Sequence, residues 1–448
     1  MPVDELVSRQ TSTSSSSNHE GVSETEASRQ RLAGPEESLL HERDVEEGMP
    51  VQRKTPMALS VRAASNLFIS VVGAGVLGLP YAFRRSGLVQ GTIVMVIIAA
   101  LNLHCMLLLV KCKKRLESTA GVVTYNEVAA TILGKTGQRI VEVLLILSQS
   151  GFCVAYLVFI AQNLAPMTGY RGGYFILGAC PVVVALAMLR GVRALAPFSL
   201  IADAANVLGI IVVFYDYFGA FKQPATVVEF KSASTLPFLF GVVIYSYEGV
   251  GMILPVEASM KRKEKFPLTL TFVMTVITII YVSFGAIGYA AFGENTKDII
   301  TLNLPHNWST VAVKLALCLG LLFTFPVMMV PVFEILERSL QQTASFSDKY
   351  SSRTQSAVFV AVRIALVLLI ALVAAGVPGF GLFISLIGSL ACASLSFIIP
   401  ALCHIILFRT DLNWFWAGKD IFLIIFGTVG AVCGSAQAIS DIVKALRH

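Results

Sequence analysis

Residues 70–80 read SVVGAGVLGLP, so three glycines and a proline interrupt an otherwise apolar stretch. Glycine and proline weaken a helix, and a simple membrane anchor would carry leucine at such positions. We therefore predict that this stretch unwinds partway through a membrane span. A second stretch, EGVGMILP at residues 248–255, has the same order of Gly-x-Gly followed by Leu-Pro.

The two interrupted stretches occupy the first and the sixth of the apolar segments in the chain. An odd number of spans between equivalent elements places two units in the membrane with opposite topology. Paired interrupted spans of this kind indicate a transporter built from inverted repeats. The alternative is that the glycines only let neighbouring helices approach closely. The agreement between two equivalent positions favours the transporter.

The composition is that of a membrane protein. The chain has 448 residues, 55% hydrophobic and 14% charged, with a mean hydropathy of +0.74, which is too apolar for a soluble domain. A spanning helix needs ~20 mostly apolar residues. Eleven stretches satisfy this requirement: 58–82, 87–110, 139–163, 173–190, 194–219, 235–258, 267–292, 310–336, 355–376, 379–407 and 420–443.

Charge divides the chain into a tail and a membrane domain. Residues 1–57 carry a net charge of −5, are rich in serine and acidic side chains, and have too few large apolar residues to order themselves. We predict that they form a disordered cytosolic tail before a transmembrane domain at 58–443. The loops on the side of the tail carry 17 Lys and Arg against 8 on the other side. This bias predicts a cytosolic amino terminus and a lumenal or extracellular carboxyl terminus.

Several other classes of protein are disfavoured. The six histidines are dispersed and no HExxH pair is present, so we expect neither a bilayer-embedded enzyme nor a metal site, and no cofactor. The basic residues form no stripe interleaved with aromatics, so no nucleic acid partner is expected. The expected partners are the lipid bilayer and a small substrate, and the sequence gives no signal for protein partners or oligomeric state.

Four segments carry a resemblance to a known family: VVGAGVLGLPYAF (71–83), HCMLLLVKC (104–112), GFCVAYLVFIAQNL (151–164) and YSYEGVGMILPVEASM (245–260). They resemble the amino acid/auxin permease family, in particular its proton-coupled amino acid transporters and plant vacuolar amino acid transporters. The resemblance implies an all-α, LeuT-like fold of five plus five inverted-repeat helices with an eleventh helix. The repeats would cover about 58–219 and 235–407, and the extra helix 420–443. It also implies that amino acids are carried with protons, and it favours a vacuolar or lysosomal membrane over the plasma membrane.

The unwound segments are the predicted substrate site. A zwitterion can satisfy the freed backbone groups, since the amino-terminal end of a half-helix suits a carboxylate and freed carbonyls suit an ammonium. The small residues at the first break leave room for a neutral amino acid. The predicted substrate-binding residues are Val72, Gly73, Ala74, Gly75, Val76, Tyr156, Tyr245, Ser246, Tyr247 and Gly249.

Glu248 is the leading candidate for proton coupling, because a charged carboxylate is costly in a membrane span and usually functional. Its alternative role is structural, as a cap for unwound amides. The animal proton-coupled relatives carry a histidine in the first half-helix, where this chain has Asn66, a second candidate for the proton route. Thr324 leaves sodium coupling open. An amino-acid sensor with little flux is a further alternative, and we expect His104 and His404 to be isolated packing residues. We expect Glu257 to pair with the basic run at 261–265.

Overall fold

The computed structural model describes residues 56–120, 124–189, 192–220, 225–305, 307–342 and 351–447. The chain divides into two units, residues 1–62 and 63–448, and residues 1–55 of the predicted tail lie outside the described ranges. The described helices are α1 (Pro56–Val71), α2 (Leu79–Ser86), α3 (Leu88–Ala120), α4 (Tyr125–Thr168), α5 (Gly172–Ala187), α6 (Val192–Ala220), α7 (Leu236–Ser246), α8 (Val250–Ala258), α9 (Phe266–Phe292), α10 (Trp308–Gln341), α11 (Ser352–Gly376), α12 (Phe380–Ile387), α13 (Ile399–Leu407) and α14 (Trp414–Arg447).

Most of these helices are membrane spans by length and composition. Within the described ranges, nine helical spans are long and apolar enough to cross a bilayer, or ten if the bent pair Val61–Val71 and Ala74–Ser86 counts as one span. Two of the nine each contain two helices, α7 with α8 and α12 with α13. The shorter apolar helix α5 lies where the fourth stretch is predicted. Helices α12 and α13 form a single span, joined by π-helical turns at Gly388–Cys392 and Ser394–Ile398.

The first and sixth spans are both interrupted. Helix α1 ends at Val71, and after extended backbone at Gly73 a 3-10 segment, Ala74–Gly78, leads into α2. The helix axis bends by 48° between the two parts of this span. In the sixth span α7 ends at Ser246 and α8 begins at Val250. The sequence predicted interruptions in these two stretches, and the helix ends agree.

The largest difference in helix limits concerns the third predicted stretch, 139–163. Helix α4 begins earlier, at Tyr125, with a capping box in which Thr124 and Glu127 bond each other's backbone amides. Gly134, with φ of 69°, interrupts it and permits a kink that other residues rarely adopt. The hydropathy criterion missed this polar first part. In contrast, the break between α11 and α12 lies where Gly376 and Gly379 predict it.

Ion pairs form two groups at opposite ends of the spans. One group, which we call the outer end following the predicted orientation, contains Arg84–Glu294, Lys231–Glu294 and Arg85–Asp441. The other, the inner end, contains Lys113–Glu257, Lys263–Glu117, Arg115–Asp411, Arg363–Glu337 and His404–Asp420. Four pairs join two loop residues that the loop assignment places on the same side of the membrane: Arg84–Glu294, Lys231–Glu294, Lys263–Glu117 and Arg115–Asp411.

Candidate functional site

The two interrupted segments pack directly against each other. A Cβ atom added to Gly75 would lie 2.9 Å from Ser246 Oγ and 3.0 Å from Tyr245 Cδ1. A Cβ atom added to Gly249 would lie 2.8 Å from Val71 Cγ2. The glycines therefore allow an approach that larger residues would prevent. Among the described residues, no neighbouring atom lies within 4 Å of a Cβ built on Gly73, so open space remains beside the first break.

Tyr281 on α9 bridges the first break. Its hydroxyl donates to the Val71 carbonyl at 3.2 Å and accepts from the backbone amide of Gly73. These are backbone groups of the two residues on either side of Val72, where the helix has ended. A phenol thus replaces part of the hydrogen bonding that the break removes, which a buried backbone requires.

Asn102 on α3 has the corresponding contact at the second break. Its side-chain amide donates to the Tyr247 carbonyl at 3.4 Å. The buried Oδ1 of Asn102 has no hydrogen-bond partner in the part of the chain that the structure describes, and neither has the buried hydroxyl of Tyr245. Unpaired polar atoms are costly in a protein interior. These two are therefore candidates for contact with a polar substrate.

Glu248 lies between α7 and α8 with only 8% of its surface exposed. The Ser396 hydroxyl donates to its Oε2 at 3.4 Å, and the Cys392 thiol is a second hydrogen-bond partner. Both partners are neutral, and within the described ranges no Lys, Arg or His forms an ion pair with this carboxyl. Because an uncompensated charge is costly in a buried site, the arrangement suits a carboxyl that can hold a proton.

Aromatic side chains line the same region. The rings of Tyr245 and Phe152 lie 4.8 Å apart edge to face, and those of Tyr247 and Tyr281 lie 5.1 Å apart. Tyr156 on α4 is buried and lies close enough to Tyr245 for the two side chains to interact electrostatically. The predicted tyrosines thus lie on elements packed around the breaks. Val72, Ala74 and Val76 are also buried.

Two predicted ion-coupling residues are placed differently. Asn66 has an exposed side chain on α1, and its carbonyl accepts from the Ser70 hydroxyl. Thr324 on α10 is half-buried, and its hydroxyl donates to the Gly320 carbonyl of the same helix at 2.9 Å. Among the described residues, neither side chain hydrogen-bonds a residue of the two breaks, whereas Glu248 is part of one.

Two expectations about other ionisable residues are wrong. His404 is not isolated, because its Nδ1 lies 2.6 Å from Asp420 Oδ2 and its Nε2 lies 3.3 Å from Lys111 Nζ. Glu257 does not pair with the basic run at 261–265, as its position in sequence suggested. It forms a buried ion pair with Lys113 on α3. The sequence criterion failed in both cases because the partners come from other spans.

Charged and aromatic contacts cluster at the outer end of the spans. A cavity of about 340 Å³ there includes Arg84, Arg85 and Asp441, and the Arg85 guanidinium lies 4.1 Å from the Phe238 ring centroid. Nearby, Asp298 Oδ2 accepts from the amide of Phe380 and so caps α12. Burial raises the pKa of the Asp298 carboxyl, although the amides it accepts from oppose this.

Sequence reasoning missed Tyr281, Asn102 and Ser396. Each is a polar residue within an apolar span, which is the available signal, because such groups need partners in the membrane. Their partners lie 210, 145 and 148 residues away, so no local pattern connects them. In the described ranges, no three His, Cys, Asp or Glu side chains are placed to hold a metal ion.

Comparison with known proteins gives consistent matches. A family model described as "transmembrane amino acid transporter protein" matches residues 59–440. Amino acid transporter ANT1 of Arabidopsis thaliana is 39% identical over 85% of this chain and 92% of its own length. Amino acid transporter AVT3C of the same plant is 38% identical over 86% of this chain and 92% of its own length.

Among solved structures, the inward-facing conformation of Mhp1 superposes with a TM-score of 0.50 at 15% identity. The match covers 88% of this chain and 90% of Mhp1. A closed conformation of Mhp1, described as a nucleobase-cation-symport-1 family transporter, gives the same score over 86% of this chain and 91% of that chain. These matches confirm the predicted LeuT-like, all-α fold.

Proposed function

This chain belongs to the transmembrane amino acid transporter family, and we propose that it carries neutral amino acids together with protons by alternating access about the breaks in spans 1 and 6. The transporter assignment agrees with the prediction that the protein is not an enzyme. One observation carries the rest of the proposal. A buried carboxyl, with no cationic partner among the described residues, lies in the break that packs directly on the first one.

The substrate's ionic groups would be bound by the backbone and by uncharged polar atoms. The first backbone amides of the segment Ala74–Gly78 have no carbonyl partner within that segment. They form the positive end of a helical turn and would attract the substrate's carboxylate. The unpaired Asn102 Oδ1 is an acceptor for the ammonium, and the Tyr245 hydroxyl is a further polar contact. Open space beside Gly73 would take the remainder of the substrate.

A neutral substrate side chain follows from charge balance. Glu248 is the one Asp, Glu, Lys, Arg or His side chain among residues 72–76 and 245–249. A cationic or anionic side chain would need its own compensating charge in this buried region. Since the proposal reserves Glu248 for the proton, the site suits amino acids whose side chains carry no charge.

Glu248 would couple proton movement to substrate movement through its hydrogen bonds. It connects the α7–α8 break to Ser396 and Cys392 in the span formed by α12 and α13. Protonation would remove the charge and allow this contact to form or break at lower cost as the spans move. The carboxyl would then release its proton when the site opens to the less acidic side.

Alternating access requires contacts that can open at each end. At the outer end, the exposed or half-buried pairs Arg85–Asp441 and Lys231–Glu294 are screened by water and weak. At the inner end, Lys113 and Glu257 form a buried pair that also bonds the Leu254 carbonyl. We propose that these two sets of contacts open in alternation while the breaks stay packed around the substrate.

The membrane and the direction of transport are part of the same proposal. The inner end would face the cytosol, and the outer end would face the lumen of a vacuole or lysosome. A lumen more acidic than the cytosol would then drive amino acids into the cytosol with protons. Sodium coupling through Thr324 has less support, because among the described residues its side chain hydrogen-bonds its own helix and not the two breaks.

The test is uptake of labelled neutral amino acids into proteoliposomes containing the purified protein. We expect accumulation that follows an imposed pH gradient, persists when sodium is replaced, and collapses with a protonophore. Uptake that requires sodium and ignores the pH gradient would contradict proton coupling. Saturable binding without flux would instead identify a sensor.

A further inference from the structure

A second cavity lies at the inner end, away from the two breaks. It measures about 380 Å³ and is bounded by α3, α13 and α14. Leu107, Leu108 and Leu412 form an apolar part of its wall, while His104, Lys111 and Lys419 form a polar part. A cavity with these two parts suits an amphipathic ligand, and the polar part determines the sign of its charge.

Lys111 is the least compensated cation of the cavity. Its ammonium lies 3.3 Å from His404 Nε2 and 4.7 Å from the Phe408 ring centroid, and it joins none of the carboxylate ion pairs found in the described ranges. The Lys419 ammonium lies 4.4 Å from the Trp416 ring centroid. Two cations therefore face the cavity from α3 and α14.

Both nearby carboxylates, Asp420 and the cavity-lining Asp411, already belong to ion pairs. Asp420 is fully buried, with Oδ2 2.6 Å from His404 Nδ1 and Oδ1 3.6 Å from Lys419. Asp411 pairs with Arg115 at 3.3 Å. In addition, His104 Nε2 is buried and has no hydrogen-bond partner among the described residues. An anion in the cavity could thus contact Lys111 and His104 without displacing an existing ion pair.

The position of the cavity indicates where such an anion would come from. Helix α14 begins with three exposed aromatic residues, Trp414, Phe415 and Trp416, a pattern typical of the membrane–water interface. Basic pockets between spanning helices at this level bind acidic lipid headgroups. The apolar wall would accommodate the glycerol and the first methylenes of such a lipid.

We propose that this cavity binds the phosphate headgroup of an acidic phospholipid. Lys111 and Lys419 hold the phosphate, His104 donates or accepts a hydrogen bond, and the leucine wall holds the lipid backbone. Because the cavity contacts α14 and the end of the tenth span but neither break, the lipid acts on the scaffold and is not the transported substrate.

The experiment measures thermal stabilisation and native mass spectra of the full-length protein in neutral detergent, with short-chain phosphatidylinositol phosphate as the probe. We expect saturable binding that K111Q weakens about fivefold, the effect of one lysine near a lipid surface, and that K111Q with K419Q weakens further. K114Q is the matched control, because Lys114 is exposed on the same helix and does not line the cavity.

Further probes test the charge of the headgroup and distinguish a lipid from free phosphate. Phosphatidylcholine should bind weakly, since its headgroup has no net charge. Inositol phosphate or inorganic phosphate should also bind more weakly than the lipid, because neither contacts the leucine wall. Equal weakening by K111Q and K114Q would overturn the proposal in favour of diffuse charge attraction, and equal affinity for the free headgroup would overturn the lipid assignment.

Discussion

The breaks in spans 1 and 6 share a Gly-x-Gly and Leu-Pro pattern but are stabilised differently. At the first break, the Tyr281 hydroxyl bonds backbone groups of Val71 and Gly73, and residues 70–80 contain no charged side chain. At the second, Asn102 bonds the Tyr247 carbonyl, and the neighbouring residue is the buried Glu248. The first break thus supplies close backbone packing, and the second supplies the ionisable group.

This difference assigns separate tasks to equivalent elements of two repeats. Glycine at the first break is needed for space, because Gly75 touches Ser246 and Tyr245. At the second break the carboxyl has neutral partners, so its protonation state can change without breaking an ion pair. Substitutions at the two breaks should therefore fail in different ways, through lost coupling at one and lost packing at the other.

The largest effect is expected at the second break, for Glu248→Gln. Glutamine has nearly the same shape and can still accept from Ser396, but it cannot bind and release a proton. We expect pH-driven accumulation in proteoliposomes to fall to the level of protein-free liposomes, while the amount of folded protein is unchanged. Accumulation equal to that of the unmodified protein would contradict a proton role for Glu248.

The control for this change is Ser396→Ala, which leaves the carboxyl in place. It removes one neutral hydrogen bond, 3.4 Å long, worth about 1 kcal/mol or less. We therefore expect it to change the rate of uptake but to retain accumulation driven by pH. Loss of coupling in both variants would mean that coupling needs the Ser396 hydrogen bond as well as the proton on Glu248.

A smaller effect is expected at the first break, for Gly75→Ala. The added methyl group would lie 3.0 Å or less from Ser246 and Tyr245, and overpacking of this kind costs about 1–3 kcal/mol. We expect a lower midpoint of thermal unfolding and reduced uptake at every pH, with coupling preserved. Thermal unfolding in detergent and proteoliposome uptake measure the two quantities.

Gly73→Ala is the matched control, with the same change two residues earlier. Its methyl group would meet no neighbouring atom of the described residues within 4 Å, and φ of −133° suits alanine. We expect unchanged thermal stability, with any loss confined to substrate affinity. If the Gly75→Ala and Gly73→Ala variants have the same thermal stability, the inference that the two breaks pack closely is wrong.

Local sequence was sufficient to predict the interrupted helices. The glycines and prolines of residues 70–80 and 248–255 weaken helix wherever they occur, so both breaks could be located without knowing their neighbours. Apolar runs likewise predicted most of the helices. The early start of α4 was missed because its first turns are polar and are held by the Thr124–Glu127 capping box, which a hydropathy average does not detect.

The partners of the breaks could not be predicted in this way. Asn102, Tyr281 and Ser396 are single polar residues in different spans, and only the packed bundle determines which backbone or carboxyl group each one meets. The same reason explains why Glu257 was assigned to the adjacent basic run when it pairs with Lys113. Membership of a site depends on contacts across spans, whereas a helix break depends on the residues within one.

The smallest effect is expected for Tyr281→Phe, which tests whether the first break depends on its bridging hydroxyl. The ring would remain beside Tyr247, while the Val71 carbonyl and the Gly73 amide would lose their shared partner. Loss of such a contact costs about 1 kcal/mol, which corresponds to a several-fold decrease in uptake rate with coupling intact. Tyr215→Phe, at a residue 76% exposed, removes the same atom elsewhere and should have no effect. Equal behaviour of the two variants would show that the first break holds its conformation without Tyr281, and its stability would then have to come from the packing of Gly75 alone.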